Sequence, residues 1–255
     1  MVDESVRWQR LVHAASLRQP ERVIARTPLA PLRGISHGVV MDCSDGRRYA
    51  VKGSQVKRAL VADHMVGLLG AQIGAPVAKV ALVDVPAVLI TEGSYVAHFV
   101  AGVGHGSEFI PDCIESRDVA FGHEPKNKER FALLAVLYGW MLADDRQFLY
   151  GKAGARLVHS VDHGAFLGGS DWTAETLATS PGAEPDVWIT TQADVGSKVL
   201  RAAVEQLRRV TDQDIAEVAA TPPQSWGLSL DERVTLAHHL AGRRDELLAR
   251  FVVAP

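Results

Sequence analysis

The chain has 255 residues, with 27 Lys and Arg against 30 Asp and Glu, for a formal charge of -3. That near-neutral balance lacks the basic surplus of a broad nucleic-acid surface, and 47% hydrophobic against 22% charged residues argues against disorder. The two cysteines, Cys43 and Cys113, form no CxxC pair, which argues against a disulfide framework or zinc site and for a reducing compartment.

The amino terminus carries acidic residues before any apolar stretch, unlike a secretory signal. No window reaches the roughly eighteen apolar residues that cross a bilayer. The expectation is a soluble, cytoplasmic protein with no membrane or nucleic-acid partner. Residues 1–32 read as an extension, with a short helix over Val6–Leu17 and a pattern then broken at Pro20, Pro28 and Pro31. Val39–Met41 is a β-rich run, Asp45-Gly46 is a type I′ hairpin dipeptide, and Tyr49–Val51 resumes a strand. This hairpin places Lys52 at the end of its second strand.

Leu60, Val61, Met65, Leu68, Leu69 and Ile73 recur at helical spacing and predict a helix over Lys57–Ile73, stopped by Gly74 with Pro76 beyond. Val77–Val85 and Val88–Thr91 read as strands joined near Pro86. The order strand, strand, helix, strand, strand over residues 33–101 predicts a small β-rich lobe of an α+β protein rather than alternating βαβ units. Residues 102–255 predict a second, mostly helical lobe. In it Gly102–Cys113, rich in Gly, His and Ser, reads as loop, and an apolar helix follows at Glu129–Leu142. Short strands are expected at Arg156–Val161 and Phe166-Leu167, then an irregular stretch over Gly168–Pro185. Helices close the chain over Ala193–Arg209, Asp212–Ala220 and Ser229–Phe251. Thr211 and Ser229 are the expected N-caps, the latter in a capping box with Glu232.

Four groups of residues carry candidate chemistry. Lys52, following Tyr-Ala-Val, can bridge nucleotide phosphates if a carboxylate of the next helix steadies it; Asp63 is the candidate, shorter than a glutamate and so expected to pair more loosely. The alternative is an edge-strand lysine in solvent. Gly34-Ile-Ser-His-Gly38 offers backbone amides and the Ser36 hydroxyl to phosphates, so Gly34, Ser36, His37 and Gly38 are candidate cofactor-binding residues; an ordinary turn is the alternative. Asp144 and Asp145 follow a buried helix, where the helix dipole disfavours them. Asp145 beside Arg146 fits a catalytic loop whose aspartate takes a proton from a hydroxyl. Val161-Asp-His-Gly164 sets Asp162 at a strand end before a glycine, the arrangement that presents a carboxylate to Mg²⁺. The histidines show no HxxxH or HxxE helix spacing, and there is no Gly-x-Ser-x-Gly elbow.

Together these segments resemble the HipA-like kinases, compact relatives of the HipA toxin kinases and of the phosphoinositide 3- and 4-kinases, over about Arg33–Phe251. Arg47–Lys52 is similar to the family's phosphate-binding strand, Asp63 with Leu69–Val77 to its acidic helix and Gly-x-Pro-Val exit, and Gly104–Phe109 to the loop before the second lobe. Asp145-Arg146 and Val161–Ala165 resemble the catalytic and metal-binding segments, and Pro223–Trp226 with the Arg-rich last helix resembles the carboxyl end. The resemblance implies a two-lobed, protein-kinase-like fold that binds ATP and Mg²⁺ and phosphorylates a hydroxyl on a protein, peptide or small molecule. Lys52 would hold the α- and β-phosphates, Asp63 orient it, Asp162 bind Mg²⁺ and Asp145 position the acceptor. One departure is Tyr150, where such proteins carry an asparagine as second Mg²⁺ ligand; Gln147 or Asp144 would have to substitute. The departure opens two alternatives: a catalytically decayed pseudokinase that binds nucleotide or a partner, or a kinase-like scaffold repurposed for peptide or natural-product modification.

Overall fold

Alternation of side chains along extended backbone organises the amino-terminal half. In the computed structural model, which describes residues 4–32 and 37–251, five strands close into a barrel. They are β1 (Arg22–Pro31), β2 (Val39–Cys43), β3 (Arg48–Lys52), β4 (Val80–Val85) and β5 (Gly102–Glu108), in the spatial order β1-β2-β3-β5-β4. Val39, Met41, Tyr49, Val51, Val83 and Val85 fill the interior, joined by Val96 and Phe99 from the segment after β4. The barrel therefore takes in residues on both sides of the 33–101 span expected for the first lobe.

The β2–β3 hairpin forms with Val39 opposite Val51 and Met41 opposite Tyr49, but its turn is not type I′. Gly46 N–H donates to the Cys43 carbonyl at 3.0 Å, and Gly46 alone takes a positive φ, of 80°, while Asp45 does not. The connection is a three-residue loop, a turn followed by a left-handed glycine. Asp45 instead accepts hydrogen bonds from Arg47 N–H at 3.1 Å and from the Tyr49 hydroxyl at 2.7 Å.

Two of the barrel strands run where none was expected. β5 lies in the Gly-rich stretch read as loop, because its glycines answer to packing rather than to turning. A Cβ at Gly106 would fall 2.6 Å from Val83 Cγ2 and 3.2 Å from Tyr49 Cβ, so the closed barrel admits no side chain there. β1 contains Pro28 and Pro31, and its pairing with β2 shifts register between Ala25 and Thr27 and between Pro28 and Ala30. Such irregularities accommodate a residue that cannot donate to the ladder. Residues 87–89 form one 3-10 turn rather than the strand expected at Val88–Thr91.

Helix α2 (Arg58–Gln72) buries Leu60, Val61, Met65 and Leu69, and with them Asp63 and His64. Gly74 follows it with φ 73°. The second lobe opens with β6 (Cys113–Ser116), which pairs with β7 (Phe148–Gly151) and through it β8 (Val158–Ser160). Between them runs α3 (Pro125–Trp140), whose carboxyl end is closed from a distance: the Arg243 guanidinium donates to the carbonyls of Gly139, Trp140 and Pro181 at 2.6, 2.8 and 2.6 Å. Phe166-Leu167 is a turn, not a strand, with Leu167 N–H bonded back to the Met141 carbonyl at 2.9 Å. The remaining helices are α4 (Ala174–Ala178), α5 (Val187–Gln192), α6 (Ser197–Val204), α7 (Asp212–Ala220) and α8 (Leu230–Arg250). Thr211 and Ser229 cap the last two in capping boxes with Asp214 and Glu232.

The extension of residues 1–32 is shared between the lobes. Residues 22–31 are the barrel strand β1, and helix α1 (Glu4–Ser16) packs Trp8 and Val12 into the helical core against α7 and α8. Among the described residues no helix is long and apolar enough to cross a membrane.

Candidate functional site

Strand periodicity decides which side chains of β3 meet the space between the lobes. Tyr49 and Val51 turn into the barrel, so Ala50 and Lys52 turn outward, and both line an interlobe cavity of about 400 Å³. Its other lining side chains include Asp63, Gln147 and Asp162, with Leu32, Phe109, Leu149 and Val161 on its apolar walls.

Lys52 Nζ donates to Asp63 Oδ2 at 2.6 Å and to Asp162 Oδ1 at 2.5 Å. The solvent-edge lysine alternative is thereby corrected: the Lys52 side chain is 10% exposed, Asp63 1% and Asp162 37%. The Lys52–Asp63 pair is also not loose, because α2 approaches β3 closely enough for an aspartate to reach. Burial alone would push the Lys52 ammonium down, but the Asp63 and Asp162 carboxylates outweigh it and hold it above the usual lysine range. Burial alone would likewise push Asp63 up; Lys52, then His105 and His163, keep its carboxyl well below the ordinary range.

Asp162 has φ 58°, a left-handed conformation that aspartate tolerates better than most residues. Hydrogen bonds on either side fix it. Val161 N–H donates to the Gln147 carbonyl at 3.1 Å, and His163 N–H to Asp63 Oδ1 at 2.9 Å. Behind these lies a polar layer that the sequence reading did not single out. The His163 ring meets Ser160 Oγ at 2.8 Å, Ser160 Oγ meets the Tyr138 hydroxyl at 2.7 Å, and all three residues are buried. His105 lies opposite Lys52 on β5 and 3.3 Å from His64. Burial lowers His64 to about 3 and His105 to about 4. A period-two alternation of glycine with polar residues in Gly104-His-Gly-Ser107 was the available sign that His105 sits on a strand.

The other predicted residues fall in three groups. Gln147 lines the cavity, and its side-chain amide donates to Asp145 Oδ2 at 3.3 Å. Asp145 thus stands one side chain behind the cavity wall, also 3.6 Å from Arg117. Arg146 leaves the cavity altogether. Its guanidinium grips Asp186 at 2.6 and 3.1 Å and lies 5.0 Å from the Trp188 ring centroid, and Asp186 in turn caps α5 through Ile189 N–H. Gly38 passes beside Lys52, since a Cβ there would be 3.6 Å from Lys52 Cγ; the His37 carbonyl meets His98 Nε2 at 2.7 Å. Gly34 and Ser36 lie outside the described residues.

The residues present fit a Mg²⁺ ion. Asp162 is a partly exposed carboxylate at the cavity and Gln147 brings an amide oxygen, a sparse oxygen set of the kind Mg²⁺ completes with phosphate and water. Among the described residues no group of three or more His, Cys, Asp and Glu is placed to hold a metal. Tyr150 does not join the site. It is buried, with its hydroxyl donating to the Asp118 carbonyl at 2.8 Å and accepting from Ala120 N–H at 3.0 Å.

A barrel lobe and a helical lobe, with a lysine and two carboxylates meeting between them, define a kinase-like fold. The crystal structure of a Helicobacter pylori proinflammatory kinase, CtkA, is similar with a TM-score of 0.61 at 11% identity, over 91% of this chain and 96% of that one. A crystal structure of the Golgi casein kinase gives 0.49 at 10% identity over 96% and 76%, and the same kinase with Mn/ADP bound gives 0.47 at 10% over 96% and 77%. No curated protein matches in sequence. Residues 30–159, just over half of the chain, match the model for the HipA-like kinase, and the chain belongs to the HipA-like kinase family.

Proposed function

We propose that this protein is an ATP- and Mg²⁺-dependent phosphotransferase acting on a hydroxyl of a protein, peptide or small molecule. The observation that carries the reading is Lys52, held between Asp63 and Asp162 inside the interlobe cavity. A triphosphate entering there meets a buried ammonium already aimed by Asp63, so the cation needs no reorganisation to contact phosphate oxygens. Asp162 and Gln147 would hold the Mg²⁺, which neutralises charge on the phosphates. Asp145, one side chain behind the cavity wall, would accept the proton that the hydroxyl loses once the acceptor displaces the Gln147 amide from its carboxylate, as the hydroxyl oxygen bonds to the γ-phosphorus and ADP departs. The chain's near-neutral charge supports neither a nucleic-acid nor a membrane partner, and two free cysteines support a reducing, cytoplasmic setting.

Calorimetric titration of ATP with and without Mg²⁺, on wild type and Asp162→Asn, tests the site; ADP release with hydroxyl acceptors tests the reaction. Mg²⁺-dependent binding that Asp162→Asn removes is expected, and Mg²⁺-independent binding would sink the assignment. A second reading is favoured by Tyr150, whose side chain belongs to the core rather than to the cavity. It makes the protein a pseudokinase that binds nucleotide without turnover, and sustained ADP release would dismiss it.

A further inference from the structure

Helix α2 carries Asp63, yet its own amino terminus is poorly provided for. Lys57, at the cap position with φ 51°, gives no side-chain cap, and no acidic residue stands in the first turn. The first helical residue is Arg58, a cation where the helix dipole favours an anion.

Two remote segments hold this end of the helix through Arg58. Glu232, in the first turn of α8, accepts Arg58 Nη2 on Oε1 and Ser229 N–H on Oε2 at 2.9 Å. One carboxylate thus serves the amino termini of two helices. Trp172, 2% exposed, lies with its ring centroid 4.9 Å from the Arg58 guanidinium, and its indole N–H donates to the Arg58 carbonyl at 3.3 Å. The chain after Asp162 therefore touches α2 three times in succession. His163 N–H reaches Asp63; Gly164 packs on Ala59 so closely that a Cβ would stand 3.2 Å from Ala59 Cβ; Trp172 covers Arg58.

We propose that Arg58, Trp172 and Glu232 form a clamp of positioning residues that seats α2 on the segment following Asp162, so that Asp63 stays at once on Lys52 and on His163 N–H. The inference rests on the reading of the cleft as a nucleotide site. In it a buried indole and a built-in carboxylate hold the arginine, the task that an added phosphate performs elsewhere. Helix α2 is seated by the unmodified chain.

Hydrogen–deuterium exchange over residues 58–66, beside MgATP calorimetry, tests the clamp in wild type, Arg58→Met, Glu232→Gln and Trp172→Leu. Each variant is expected to exchange about tenfold faster in the first two turns of α2 and to bind MgATP about fivefold more weakly. Arg58→Met with Glu232→Gln should cost less than the two single variants added together, since the Arg58–Glu232 contact is lost in both. A merely structural role would lower the melting temperature while leaving α2 exchange and nucleotide affinity unchanged, and that result in Arg58→Met and Glu232→Gln overturns the clamp. If Trp172→Leu fails to fold, those two variants decide. If wild type binds no nucleotide, the reading of the cleft falls, and exchange in α2 still decides the clamp.

Discussion

Asp63 and His163, a hundred positions apart, are joined by a 2.9 Å hydrogen bond from the His163 N–H to Asp63 Oδ1, while Asp63 Oδ2 accepts from Lys52 at 2.6 Å. One buried carboxylate therefore ties helix α2, strand β3 and the turn that presents Asp162. Displacing any of the three leaves a desolvated oxygen without a donor, so their geometry is set together.

Replacing Lys52 with methionine should damage both stability and binding. Asp63 would keep its His163 N–H bond but lose its ammonium, and an uncompensated buried charge costs about 3–5 kcal/mol. Urea denaturation is expected to show that loss, and calorimetry a loss of ATP affinity. Wild-type stability in Lys52→Met would mean that the pair contributes nothing.

Acid should weaken the fold before any carboxylate titrates. His64 and His105 are lowered from 6.5 to about 3 and about 4, so the folded state holds them neutral while the unfolded chain binds protons below about 6.5. Their stabilisation is complete above that pH and is lost as pH falls toward the folded values. Each contributes a slope of about 1.4 kcal/mol per pH unit within the window. Below it, protonating Asp63 removes its share as well, because its carboxyl is depressed in the fold. Chemical denaturation between pH 7 and 5 should show declining stability, with a shallower slope in His64→Leu.

Tyr150→Asn restores the residue type that the family resemblance leads one to expect, and it should not restore a ligand. The Tyr150 ring packs against Phe121 with centroids 5.5 Å apart and faces Phe131 and Phe148, and its hydroxyl serves the backbone at Asp118 and Ala120. Loss of a buried aromatic costs about 3–5 kcal/mol. The expected result is a lower melting temperature with no gain in Mg²⁺-dependent ADP release; a gain in turnover would show that this position reaches the cavity.

Gly106→Ala probes the barrel. The added Cβ would stand 2.6 Å from Val83 Cγ2, and relieving such overpacking costs about 1–3 kcal/mol. Because Gly106 pairs with Val51, next to Lys52, nucleotide affinity should fall along with the denaturation midpoint. Unchanged stability would mean that the barrel wall yields freely at this point.

Much of the fold was legible because its signals are local. The period of Leu60, Val61, Met65 and Leu69 with the Gly74 stop, the capping boxes at Thr211 and Ser229, and the hairpin around Gly46 each rest on residues within a few positions of one another. Lys52, Asp63 and Asp162 were legible as candidates for the same reason, each being read from the element beside it. Strand β5 left only the alternation over Gly104–Ser107 as a sign: its glycines look like a loop until Val83 and Tyr49 are seen pressing on them from other strands.

By itself the sequence determined two lobes of different character, a β-rich one with a lysine at the end of its hairpin and a helical one with two acidic turns. Only the tertiary structure decided that Lys52 sits between Asp63 and Asp162, that Arg146 turns away to Asp186, that Tyr150 serves the core, and that β1 closes the barrel. Helix periods, caps and turns are short-range preferences of the backbone, whereas the direction of a charged side chain depends on which distant group desolvates with it. That choice is made by packing, when segments a hundred residues apart come together.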